Sequence, residues 1–429
     1  MFRSIKAMIV NKDIRNRILF TLFAFFVYRF GSTITIPDVD TAELMAGIQN
    51  NSLFEMINLL GGGGLDQFSI FALGVTPYIT ASIIMQLLSM DVIPSLTELS
   101  KSGAQGRKKI DKYTRYLAVI FAFVQSISLV YGFSKTYTTL IVGGVTLSKV
   151  LYISTIFTAG SLFLVWIGDQ ISLKGIGNGI SMVIMAGIVG RMPRQFSSAW
   201  KSLIGSNTKN GVWLFVGYVV VYLVIIIFVT LINTAERRIP IQYTSSSIEL
   251  SKRSDSNYLP LKVNSASVIP VIFASSLMMA PLQIATFLDK TDFVNAVQDW
   301  LGLSTWYSLV IYVVLIIFFT FFYTKMQVDP EKLAENLGKS GAYIPNIRPG
   351  TETKTYVNHI LTRITVFGSI ALAFISVMPH VMPILWPEMP SSMALGGTGL
   401  IIVVGVAIET VRQVQGLITQ KSYKKYYQD

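Results

Sequence analysis

The chain has no cysteine, only two histidines and few charges: 14% of its 429 residues are Asp, Glu, Lys or Arg, where an ordinary soluble domain carries about 25%. Each shortage excludes something. Without cysteine there is no disulfide frame, thiol nucleophile or thiolate metal site. His359 and His380 lie far apart in the sequence, which argues against a histidine metal centre. With 52% hydrophobic residues and a mean hydropathy of +0.56, too little polar material remains to cover a soluble protein this long. A typical cytosolic enzyme, a nucleic-acid-binding domain and a disordered scaffold are thereby excluded. A multi-spanning membrane protein remains.

What is present is long apolar runs. A helix crossing about 30 Å of hydrocarbon needs about 20 mostly apolar residues, and ten segments meet that need: 18–35, 68–90, 113–133, 150–168, 176–192, 212–232, 267–287, 307–323, 360–379 and 395–411. The first follows Arg3, Lys6, Lys12, Arg15 and Arg17 and so resembles a signal peptide. No small-residue cleavage site follows it, and nine more segments do, so it is expected to be a retained span.

The 35 basic residues outnumber the 23 acidic ones, for a formal charge of +12, and their distribution tests this layout. The start of the chain to Arg17 carries five Lys or Arg, and 33–74 none. The connection 91–115 carries six, 233–262 five, 287–306 one, 325–363 six, 380–394 none, and the tail from Arg412 four. Ten spans with both termini in the cytoplasm predict this alternation, because basic residues accumulate in cytoplasmic connections. One connection disagrees: Arg191, Arg194, Lys201 and Lys209 would face outward.

Ten spans divide into five plus five, which predicts two inverted halves, 1–195 and 196–429, the second with two large cytosolic loops at 233–265 and 325–359. Segments 2 and 7 hold matching positions, and both read as broken. Segment 2 follows Gly61–Gly64 and carries Gly74 and Pro77; segment 7 carries Pro270 and Pro281. Interrupted segments at matched positions point to a central pathway between halves, although Gly and Pro are common in membrane helices generally.

Two nucleotide motifs fail on inspection. Gly338-Lys339-Ser340 ends like a phosphate-binding loop, but Leu333 stands where its first glycine should be. Gly175-Ile176-Gly177-Asn178-Gly179 is followed by Ile180 rather than glycine, and no strand precedes it. No carboxylate pair lies within a span, and no Ser/His/Asp set can credibly meet. Ion-coupled carriers bury charges in the bilayer. Here Arg29, Asp169, Glu236 and Glu409 all lie toward segment ends, and mid-span polarity is confined to groups such as Thr80, Ser82, Gln86, Gln125, Asn178 and Ser181.

The broken segments do offer apolar branched side chains at one-turn spacing. Val75 and Ile79 share a face of segment 2, and Ile180 and Ile184 repeat this on segment 5. Ile272 follows Pro270, and Ile402 follows Gly396-Gly397-Thr398-Gly399. Converging, they would form a hydrophobic constriction that excludes ions by dewetting. An isoleucine pair at helical spacing is otherwise far more often packed or lipid-facing.

Five runs carry a resemblance: 61–88 with SIFALGVTPYITASIIMQLL, 175–181 (GIGNGIS), 259–273 (LPLKVNSASVIPVIF), 341–350 (GAYIPNIRPG) and 396–404 (GGTGLIIVV). In this order and topology the chain resembles the SecY/Sec61-alpha family, the channel subunits of the Sec protein-conducting translocon. The resemblance implies a pore ring of Val75, Ile79, Ile180, Ile184, Ile272 and Ile402. It implies a plug over Leu60, Gly61, Gly62, Gly63, Gly64, Leu65, Asp66, Gln67 and Phe68. Segments 2 and 7 would line a lateral gate, with Gln86 and Asn178 as polar wall positions. Arg348, with Arg237 and Arg238, would meet a motor ATPase of the SecA type or a ribosome. Small helical subunits of the SecE and SecG type, signal-sequence-bearing polypeptides and membrane lipids are the other implied partners, and no cofactor is implied.

The reading is therefore an all-α integral membrane protein of ten transmembrane helices around a pore, in the bacterial plasma membrane, that moves proteins and is not an enzyme. Two rival classes would need other residues. A small-molecule carrier would favour a buried titratable residue at a helix break. An intramembrane protease would need a Ser/His, Ser/Lys or Asp pair at bilayer depth.

Overall fold

In a computed structural model the described residues are 11–40, 64–90, 92–137, 140–204, 211–243, 258–285, 292–302, 305–385 and 391–426. Thirteen helices occur among them: α1 (Lys12–Gly31), α2 (Thr76–Leu88), α3 (Pro94–Lys101), α4 (Ala104–Thr136), α5 (Leu147–Lys174), α6 (Gly179–Leu203), α7 (Gly211–Thr234), α8 (Ile269–Ala285), α9 (Asp292–Leu301), α10 (Trp306–Gln327), α11 (Pro330–Lys339), α12 (Thr351–Leu385) and α13 (Ser391–Tyr426). Each of the ten apolar segments overlaps one of them. Among the described residues, six helices are long and apolar enough to cross a membrane, and α2 and α8 are shorter apolar helices. The outer surface carries large apolar groups, with Trp213 at 76% exposure and Phe367 at 74%. A soluble protein would bury such a surface; a lipid surround would suit it.

The prolines explain the short helices. Pro77 sits in the first turn of α2, where the missing N–H would have no partner anyway. The eight residues before α2 are not helical, so segment 2 is broken as expected. Segment 7 differs. Pro270 stands at the start of α8 and Pro281 lies within it, so the helix is short but continuous. The expected boundary at residue 195 falls inside α6, which continues through Pro193 to Leu203. The aromatic contacts of Phe196 with Tyr218 and Tyr222, and of Trp200 with Phe215, hold this extension against α7. Arg191, Arg194 and Lys201 of the unexplained basic connection therefore belong to a helix rather than a loop.

The chain is mostly helical, as an all-α protein should be, but its connections also hold short strands. Among the described residues, four strands occur in the connections after α7 and α11: β1 (Glu236–Pro240), β2 (Gln242–Tyr243), β3 (Tyr258–Lys262) and β4 (Ala342–Tyr343). β1 pairs antiparallel with β3, and β2 with β4. These strands are two to five residues long, and the β2–β4 partners are distant in sequence, so no local alternation announced them.

The helices up to α6 and those from α7 onward meet along two seams. On one side α8 packs against α2 and α4. On the other α6 packs against α7 and α13. Most buried side chains between them form one large apolar cluster, and a second, smaller cluster lies among the α4 and α5 side chains.

Candidate functional site

Five of the six candidate ring residues are buried in the large apolar cluster: Val75, Ile79, Ile184, Ile272 and Ile402. Ile180 is half-buried and packs on the same cluster. Five of the six come from four helices, and Val75 stands just before one of them. Val75 is the residue preceding α2, and its carbonyl accepts the Ile79 N–H at 3.1 Å. Ile180 is the second residue of α6. Ile272 follows the helix-starting Pro270, and Ile402 lies inside α13. The six side chains themselves carry no charge and no hydrogen-bonding group, so any surface they form together is purely apolar.

The α6 start is held with little slack. The Asn178 side chain accepts from the Ile180 and Ser181 N–H groups at 3.2 and 3.4 Å, capping the helix. The Gly179 N–H donates to Ser172 Oγ at 2.9 Å, and a side chain at Gly179 would overlap the Gly168 carbonyl oxygen of α5. Gly177 has φ +85, a conformation that favours glycine. Asn178, expected as a polar wall position, thus has a structural employment that its place before Gly179 could have signalled. Gln86 sits on α2, where its Nε2 donates to Ser82 Oγ at 3.1 Å; its Oε1 is buried without a hydrogen bond among the described residues.

Leu60, Gly61, Gly62 and Gly63 lie outside the described residues. From Gly64 onward, Leu65, Asp66 and Gln67 form one 3₁₀ turn. Leu65 and Phe68 are fully buried, in the second cluster rather than among the ring residues. The Phe68 ring stands 6.0 Å from Phe133 and 5.0 Å from Phe157, and the Phe68 carbonyl accepts the Ile36 N–H at 3.3 Å. This end of the candidate plug is an anchor.

The two large connections fold together. Ile239 and Leu261 from one, and Ile344, Val357 and Leu361 from the other side, share a small apolar core. Arg237 and Arg238 therefore belong to the same unit as Arg348, although about a hundred positions separate them in sequence. Arg237 is exposed on β1. Arg238 pairs with Glu236 at 2.9 Å and lies 4.7 Å over the Tyr258 ring. The Glu236 hydrogen bond pushes its guanidinium above the ordinary value. Arg348 is exposed. Its backbone is fixed by Glu352, which accepts its N–H at 3.3 Å, and by Thr353, which donates to its carbonyl at 2.9 Å. A hollow of about 500 Å³ lined by Ile347, Glu352, Tyr356 and His359 adjoins it.

No group of three or more His, Asp or Glu among the described residues could hold a metal ion. Sequence reasoning missed one set of polar ties: Gly177 to Gln413 at 2.6 Å, Ile176 to Thr21 at 3.2 Å, and Arg412 to the Asn233 carbonyl at 2.8 Å.

A many-helix membrane bundle closed by an apolar cluster describes a channel-like class, and comparison identifies which. The family model SecY matches residues 69–411. Protein translocase subunit SecY 1 of Lactobacillus kefiranofaciens is 42% identical over 431 residues, covering 99% of each chain. The SecY subunit of Mycoplasma capricolum is 44% identical, covering 96% of this chain and 89% of that one. Among solved structures, a protein-conducting channel superposes with a TM-score of 0.66 at 18% identity, covering 95% of this chain and 93% of that one. Sec61 in the canine ribosome–channel complex superposes at 0.64 and 17%, with the same coverage. The chain belongs to the SecY family.

Proposed function

We propose that this chain is a protein-conducting channel that passes unfolded secretory polypeptides across the bacterial plasma membrane and releases apolar helices sideways into it. It catalyses no covalent reaction. The observation that carries this reading is the gathering of short apolar side chains from α2, α6, α8 and α13 in one buried cluster, in a chain whose relatives are protein translocase subunits.

On this reading ten helices span the bilayer as two inverted halves, about 1–195 and 196–429, with both termini and the basic connections in the cytoplasm. The ring of Val75, Ile79, Ile180, Ile184, Ile272 and Ile402 is a low-adhesion collar: each passing side chain differs, so an apolar surface suits all of them, and it excludes ions when empty. The plug from Leu60 to Phe68 closes the outer side and is tethered by Phe68. An apolar signal helix displaces the packing of α2 on α8, and its differential affinity for the open state opens the gate. Gln86 supplies polarity on that wall.

Work comes from outside the chain. Arg348, Arg237 and Arg238, exposed on one folded unit, suit an acidic motor ATPase or ribosome surface. The canine Sec61 and yeast Ssh1 structures, both described in complex with a ribosome, support the ribosome. Small helical subunits of the SecE and SecG type complete the translocon.

The test places a photo-crosslinker at Ile79 and, separately, at Ile184, in membranes holding a secretory protein stalled midway. A control probe occupies exposed Phe318 on α10. Adducts at both ring positions and none at the control are expected. Adducts at neither, with stalled chains demonstrably present, would return these faces to ordinary packing.

A further inference from the structure

We infer that Arg412 and Gln413 are positioning residues: a polar crosspiece on α13 in which Gln413 reaches the other helical group, Arg412 braces α13 on α7 within its own, and the pair sets where Ile180 and Ile184 rest relative to Ile402. The inference rests on the ring reading above and extends it to residues outside the ring.

Adjacent residues on a helix point about 100° apart, and these two bind in different directions. The Gln413 Oε1 accepts the Gly177 N–H at 2.6 Å, reaching the turn between α5 and α6. That turn is held from its other side by α1, where Thr21 Oγ1 accepts the Ile176 N–H at 3.2 Å and Arg17 donates to the Gly175 carbonyl at 3.1 Å. Arg412 Nη2 donates to the Asn233 carbonyl at 2.8 Å, at the end of α7, where helix carbonyls lack internal partners and favour a cation. The Asn233 side chain in turn accepts from Asn264, which also donates to the Ser267 carbonyl just before α8. The motifs at 175–181 and 259–273 are thus both linked to one pair of residues on the helix that carries Ile402.

The turn transmits position because it has no room to absorb a shift. Gly177 would meet Thr410 and Met182 if it carried a Cβ, and Gly179 is pressed on Gly168. Ile180 follows within three residues. Ile14, Ile176 and Val414 close a small apolar cluster beside the same junction, so α1, the turn and α13 are packed as well as hydrogen-bonded.

The experiment uses the full chain with its companion subunits in lipid vesicles, and reads resting ion leak together with driven export of a secretory protein. Gln413→Leu keeps the side chain's bulk but removes the acceptor. It is expected to raise resting leak about threefold to tenfold, the population shift expected when one hydrogen bond holding a state is lost, while the thermal midpoint stays unchanged within about 2 °C. Gln413→Glu keeps an acceptor oxygen and is expected to restore the parental leak, which a purely space-filling role would not require. Arg412→Leu is expected to leak likewise. Ile184→Ser serves as the ring control. If it leaks while Gln413→Leu and Arg412→Leu do not, the crosspiece is overturned and the ring stands. If Ile184→Ser does not leak, the ring reading falls and the crosspiece with it.

Discussion

The two seams between the helical groups are built differently. At the seam of α8 with α2, Thr80 donates to the Thr76 carbonyl, Gln86 to Ser82, and Ser275, beside the Tyr312 hydroxyl of α10, to the Val271 carbonyl; none of these bonds runs from α8 to α2. What crosses is apolar, from side chains such as Ile79, Ile83, Val271 and Ile272. At the opposite seam a hydrogen bond crosses between the groups, from Gly177 to Gln413, and Arg412 beside it braces α13 on the Asn233 carbonyl of α7. Apolar contact is non-directional, so a lipid tail or an incoming apolar helix can replace it at small cost. Hydrogen bonds to backbone groups need one geometry. The first seam is suited to part and the second to stay.

Three substitutions probe this contrast, from the largest effect on stability downward. Gly179→Val drives a side chain into the Gly168 carbonyl at the α5–α6 contact that holds the α6 start beside the fixed seam; it is expected to cost about 3 kcal/mol, read as a lowered thermal midpoint or failure to accumulate in the membrane. Normal accumulation and an unchanged midpoint would show that α5 and α6 separate easily. At the parting seam, Ile272→Val removes one buried methylene and is expected to cost about 1 kcal/mol with no loss of accumulation. A loss as large as that of Gly179→Val would erase the distinction between the seams. Outside both, Arg348→Ala removes an exposed side chain and is expected to change stability by less than about 0.5 kcal/mol while abolishing motor-driven export. Export at the normal rate would remove Arg348 from the motor contact.

The membrane-bound part of the fold was largely legible in the residues. All ten apolar segments overlap helices, since hydropathy over a window and the absence of alternatives for the backbone in lipid are local constraints. The breaks were less legible. Pro77 and Pro270 mark helix starts, but Pro281 lies inside α8, and a proline alone does not say whether neighbouring packing tolerates it. The strands were not legible at all, because β2 is two residues long and finds β4 across the connection after α11. Among the site residues, the helical spacing of Val75 with Ile79 and of Ile180 with Ile184 suggested shared faces. It said nothing about which faces meet. Asn178 is instructive in the other direction, since its capping bonds are local and its place at a helix start was readable.

By itself the sequence determined that this is a many-span membrane protein, where its helices run, which end is basic, and that its mid-span chemistry is apolar. Each of these follows from residue type summed over neighbours in the chain. The tertiary structure alone decided that Val75, Ile79, Ile184, Ile272 and Ile402 share one cluster, that Arg238 and Arg348 stand on one folded unit, and that Phe68 anchors in a different core. It alone joined Gly177 to Gln413 across 236 positions. A hydrogen bond between such distant residues exists only when every intervening helix is in place, and it leaves no periodicity in the chain that makes it.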